Sequence, residues 1–154
     1  MTLLQSTLSS ALIERFTANA GRIHELAAPL SETHFWHKPF PFGNSFGHLT
    51  LHLTGNLKYY IGAQMANTGY VRDRPREFSE TSRLPKAEVL KPLNEAVAMV
   101  AKTIRAQTED DWSKAYTAAN ETSVKSRFHM MLRCISHFDH HVGQMQYLNF
   151  ELTR

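Results

Sequence analysis

Apolar residues recur at helical spacing in four long stretches, and nothing of comparable length alternates like a strand. The first stretch runs from about Leu3 to Ala28, with Leu4, Leu8, Leu12, Phe16, Ile23 and Leu26 on one stripe, and Pro29 ends it. The second runs from about Phe46 to Ala66, with Leu49, Leu53, Leu57 and Tyr60 on its stripe and Ser45 placed as its N-cap. The third spans roughly Pro85 to Gln107, with Pro85 suited to the first turn and Pro92 a local distortion. Thr108-Glu109-Asp110-Asp111 can cap a short helix near Trp112. The fourth begins near Ser123 and continues to about Asn149, and its apolar arc from Val124 and Phe128 to Met145 and Leu148 is broad. Residues 67 to 84 hold Gly69, Pro75 and many charges, and read as a long loop between helices two and three. Long helices joined this way predict an all-α, antiparallel four-helix bundle, with residues 1–154 as one domain.

Charge and cysteine usage narrow the function classes. The net charge is +3, with a local cluster at Arg72, Arg74 and Arg76, while the other basic residues are scattered. No DNA- or RNA-binding motif accompanies them, so nucleic acid is not an expected partner. Cys134 is the single cysteine, which excludes an internal disulfide and suits a reducing compartment. No run approaches the roughly 18 apolar residues of a membrane span. Met1 to Ala20 carries Glu14 and Arg15 in its helical pattern and lacks the basic start of a secretory signal. The expectation is a cytoplasmic protein with no membrane attachment.

Three histidines carry the chemistry. Residues four apart on a helix lie about 40° apart around its axis, so His137 and His141 project from one face of the last helix. On the second helix His52 lies about 100° from the centre of the leucine stripe, at the margin of the buried face. His48 lies roughly 140° away, towards solvent, and His140 falls on the polar side of its helix. Imidazoles from His52, His137 and His141 would form a facial set that holds a divalent transition metal and leaves positions open for water or substrate.

Ser45-Phe46-Gly47-His48-Leu49-Thr50-Leu51-His52, followed far downstream by His137-Phe138-Asp139-His140-His141-Val142-Gly143-Gln144, resembles the pattern of the DinB/YfiT-like superfamily of metal-dependent enzymes. There the first metal histidine ends a Ser-x-Gly-x-x-x-x-His run, here His52. The other two come from a last-helix His-x-x-x-His followed by Gly-Gln, here His137 and His141. The resemblance covers nearly the whole chain, including the proline-rich entry to the second helix. It implies a four-helix bundle with an accessible nickel, zinc or similar ion, and often a homodimer. Relatives include transferases and isomerases that use a low-molecular-weight thiol, and others that look like hydrolases.

Neighbouring residues have double readings. Asn56 and Tyr59, one and two turns after His52, either edge the same pocket or pack between helices. Asp139 and Gln144 are candidates to receive the second N–H of a liganding imidazole. Cys134 shares the stripe of His141, and reads as a ligand or as a small buried hydrophobe. Arg72 and Arg74 belong to Arg72-Asp73-Arg74-Pro75-Arg76-Glu77-Phe78, which resembles a segment of one superfamily branch. They would clamp a carboxylate substrate or an acidic thiol, or else pair with Asp73, Glu77 or a partner subunit. The leading expectation is a metal-dependent enzyme acting on a small-molecule substrate, with thiol-dependent S-transfer one form of it. The alternatives are a metal-dependent hydrolase, a non-catalytic metal-binding stress-response module in a dimer, and a helical interaction protein.

Overall fold

Each long helix but one starts at a hydroxyl side chain that takes up an otherwise unpaired backbone N–H. Thr2 accepts from Gln5 at the head of α1 (Leu3–Ala27), and Ser45 accepts from His48 at the head of α3 (Phe46–Leu57). Ser126 accepts from His129 at the head of α8 (Arg127–Thr153). The exception is α6 (Lys86–Ala106), where Pro85 stands at the cap and Pro92 is accommodated inside the helix. Shorter helices are α2 (Glu32–Trp36), α4 (Gln64–Ala66), α5 (Arg74–Ser79) and α7 (Glu109–Ser113), the last with the expected capping box from Thr108 and Asp111. The computed structural model describes residues 2–119 and 121–154. Among them no strand occurs, which agrees with the all-α expectation, and no helix is long and apolar enough to cross a membrane.

The four long helices pack as a closed ring: α1 on α6 and α8, and α3 on the same two. Fully buried Phe16, Ile23, Leu53, Leu57, Ile61, Leu93, Ile104, Met130 and Phe138 fill its centre. Between α3 and α4 the helix widens into a π turn, Lys58–Ala63. The Tyr116 hydroxyl donates to the Tyr60 carbonyl within that turn, at 2.8 Å.

Three boundaries and one burial differ from expectation. The last helix begins at Arg127, not near Ser123, because the preceding chain doubles back through bridges between Ala115 and Ser126 and between Ala118 and Glu121. A short helix, α2, precedes the proline-rich turn and delivers Phe35 and Trp36 to the core. The stretch expected as a structureless loop contains α5, capped by Asp73 with Pro75 in the first turn, and α5 packs on α3. That docking also explains His48, which is 7% exposed and not near solvent. Its Nε2 donates to the Glu80 carbonyl at 2.9 Å, the Ser45 hydroxyl donates to its Nδ1 at 2.6 Å, and the Trp36 ring packs edge-on against it. Helix α3 is thus covered on its outer side as well as its inner one, and of Phe46–Leu57 every residue but Leu51 is buried.

Candidate metal centre

His52 comes from the middle of α3, and His137 and His141 from successive turns of α8. Helix α8 is held at the needed rotation by Asp139, whose carboxylate accepts from Asn19 at 2.7 Å and from Arg15 at 2.9 Å, both on α1. Asp139 is spent on that anchor and does not serve an imidazole. The three rings converge, with centroids 4.4 to 5.0 Å apart, and one nitrogen from each lies within 4.8 Å of the others. Among the described residues these three form a cluster able to take a metal ion.

The hydrogen bonds around the rings fix which nitrogens point inward. Nδ1 of His52 donates to Glu77 Oε2 at 2.8 Å, and Nδ1 of His141 donates to Gln144 Oε1 at 2.7 Å. These assignments place the proton of each ring on Nδ1 and leave Nε2 as a lone pair. His52 Nε2 sits 2.9 Å from His137 Nε2, whereas His141 Nε2 is buried with no hydrogen-bond partner. An orphaned buried acceptor costs about 1–3 kcal/mol unless something satisfies it, and a divalent ion does so. The ring electrostatics agree. Burial lowers His137 to about 3, with His141 and His52 adding in the same direction. Burial also takes His141 to about 4, although its bond to Gln144 opposes the shift. Both rings are therefore neutral near pH 7, the form that donates a lone pair to a metal.

Glu77 is the residue that sequence reading missed as part of this site, having considered it only as an ion-pair partner for the arginines. It lies on α5, 7% exposed, and its carboxylate is gripped by Arg72 through Nε at 2.7 Å and Nη2 at 2.9 Å. Burial pushes its carboxyl up, but the bonds from His52 and Arg72 outweigh burial and hold it below the usual carboxylate range. An ionised carboxylate behind a liganding imidazole fixes the ring's tautomer and raises its basicity. Its approach to α3 depends on Gly55: a Cβ there would meet Glu77 Cδ at 2.8 Å and Oε1 closer still. Gly55→Ala is therefore expected to push α5 outward and lower Tm by several degrees in a thermal scan, about 2–4 °C per kcal/mol for a chain of this size. An unchanged Tm would show that the carboxylate can step aside.

The other candidates divide. Arg72 is consumed by Glu77, so of the two proposed carboxylate clamps only Arg74 faces the site. Arg74, with Phe78 and Gln144, borders a cleft of about 480 Å³ onto which all three histidines open. His140 sits on its rim, exposed, with its ring 5.1 Å from His141. Asn56 is buried beneath, its Oδ1 without a partner, and Tyr59 packs on Tyr60; neither lines the cleft. Cys134 is buried, its thiol pushed up to about 12 by desolvation, and donates to Met130 Sδ at 3.6 Å. It is a packing residue, not a ligand.

Comparison with known proteins supports the same frame. No curated protein matches the chain. A conserved protein from Enterococcus faecalis, known from its crystal structure, has the same fold, with a TM-score of 0.76 and 19% identity, over 99% of this chain and 98% of that one. The family model of the DinB superfamily matches residues 15–145, a span that includes His52, His137, His141, Glu77 and Gln144. With the match covering most of its length, the chain belongs to the DinB superfamily.

Proposed function

We propose that the protein is a metal-dependent enzyme whose His52, His137 and His141 hold one divalent transition ion, nickel or zinc, at the floor of the cleft. The observation that carries this reading is the buried, unpartnered Nε2 of His141 beside two converging imidazoles. When bound, such an ion supplies Lewis acidity, which lowers the pKa of a thiol or water in its open positions. The chain's own residues bind and orient: Glu77 and Gln144 aim His52 and His141, and Phe78 covers the His52 ring at 4.8 Å and keeps water from that side. Among the described residues no carboxylate lines the cleft to act as general base. That favours a low-molecular-weight thiol as nucleophile over water, since a thiol gives up its proton to solvent far more readily. The reaction is thus S-transfer to a small-molecule substrate. A cytoplasmic homodimer completes the proposal: buried Cys134 suits a reducing compartment, and exposed Leu132 and Phe150 lie on one face of α8.

The test is metal content by elemental mass spectrometry on tag-free protein, beside a His52→Ala/His137→Ala/His141→Ala variant, with light scattering on the same sample. About one ion per chain, absent from the variant, is expected, followed by turnover with thiols in a transfer panel. No metal after reconstitution with nickel, zinc and manganese would leave a helical interaction protein. Metal without turnover on any thiol or ester would leave a binding module.

A further inference from the structure

The cleft above the histidines is built unevenly. Phe40 and Phe42 stack in parallel at 5.7 Å with 11° between their planes, and Phe42 remains 75% exposed. Tyr147 from α8 is also on the cleft and 74% exposed, while Leu49 lines it from the buried side. Large aromatic faces left to solvent around a concavity mark a surface that something apolar covers. Charge is equally lopsided. Among the lining residues there is no aspartate or glutamate, and Arg74 is the only fixed charge. Arg74 makes no hydrogen bond or ion pair among the described residues, and its guanidinium is held 5.4 Å over the Phe78 ring. A cleft of about 480 Å³ is the size of a small-molecule site.

We infer that the cleft takes a small organic acid with an aromatic body: the aryl group lies against Phe40, Phe42 and Tyr147, and its carboxylate engages Arg74. This deepens the metal-enzyme reading and rests on it only for the reacting end of the ligand, which must reach the histidines. The fork of Arg74 is free to donate two hydrogen bonds to a carboxylate, and with no carboxylate among the lining residues an acid meets no repulsion there. A neutral aryl compound loses that contact, and a short acid loses the aromatic wall.

The experiment is calorimetric titration at pH 7.5 with 3-phenylpropanoate, 3-phenylpropanol and propanoate, on zinc-loaded and on metal-free protein. The aryl acid is expected to bind about tenfold or more tightly than either comparison compound. Arg74→Gln should erase the preference for acid over alcohol, while Phe42→Ser should weaken both aryl compounds several-fold and leave propanoate unchanged. Equal binding of acid and alcohol to the unaltered protein overturns the inference, as does equal binding of the long and short acids or no binding of the aryl acid. A chain that takes no zinc yet keeps the preference would defeat the metal reading alone. A chain that takes zinc and shows no preference would defeat this inference alone.

Discussion

Glu77→Ala is expected to cost about 3–5 kcal/mol of unfolding free energy, the range for breaking a buried ion pair by removing one partner. The loss comes from what is left behind. Arg72, with a side chain 9% exposed, would keep its charge without a counterion, and His52 Nδ1–H would face no acceptor. Arg72→Met added to Glu77→Ala should recover part of the loss, because the stranded charge goes with it. Urea unfolding of the three proteins reads both effects, and a loss under about 1 kcal/mol for Glu77→Ala would show that water satisfies the arginine. On the proposed function, Glu77→Gln should also weaken metal affinity about 10–100-fold, since an amide holds the ring without its charge.

Acid should destabilise the metal-free protein well above the pH at which carboxylates protonate. His137 and His141 titrate at about 3 and about 4 when folded, against an ordinary value of 6.5. Between these limits the unfolded chain binds more protons than the folded one, so stability falls as pH falls. The contribution is complete above pH 7.5 and is lost progressively down to about pH 4 for His141 and about pH 3 for His137. At pH 5.5 each ring accounts for about 1.4 kcal/mol, so about 3 kcal/mol separates pH 7.5 from pH 5.5. Glu77, held below its usual range, adds to the loss only at lower pH. Denaturant midpoints at the two pH values measure the difference, and His137→Gln/His141→Gln should flatten it. A flat profile in the unaltered protein would mean that both rings take up protons without leaving the fold.

Sequence periodicity was enough to find the long helices and to put His137 and His141 on one face, because each depends on spacing within a single element, whereas joining His52 to them across two helices leaned also on the family resemblance. The Ser45 cap and the Thr108 capping box were readable for the same reason. What escaped depends on contacts between elements. Glu77 sits in a short, charged segment with no apolar stripe, and α5 meets α3 through Glu77 and Phe78, both against His52. His48 was misplaced by a helical wheel that assumes one buried face, whereas α2 and α5 bury the other. Gly55 carries no local signal, since its role is to make room for a carboxylate 22 positions away. The double reading of Arg72 and Arg74 was resolved only in space, one arginine turned inward to Glu77 and the other onto the cleft.

The π turn at Lys58–Ala63 bears on how this chain tolerates changes of length. A π turn holds one residue more than the α turn it replaces, so the residues beyond it keep a phase that a regular helix would not give them. Deleting a single residue there would regularise the helix and leave buried Met65, beyond the turn, in phase with the core. The wide turn absorbs the extra residue, so the chain can lose it at that point without turning its downstream neighbours. A deletion in the regular part of the same helix, between His52 and Leu57, would instead rotate everything beyond it by about 100° and turn buried Leu57 and Ile61 off the core.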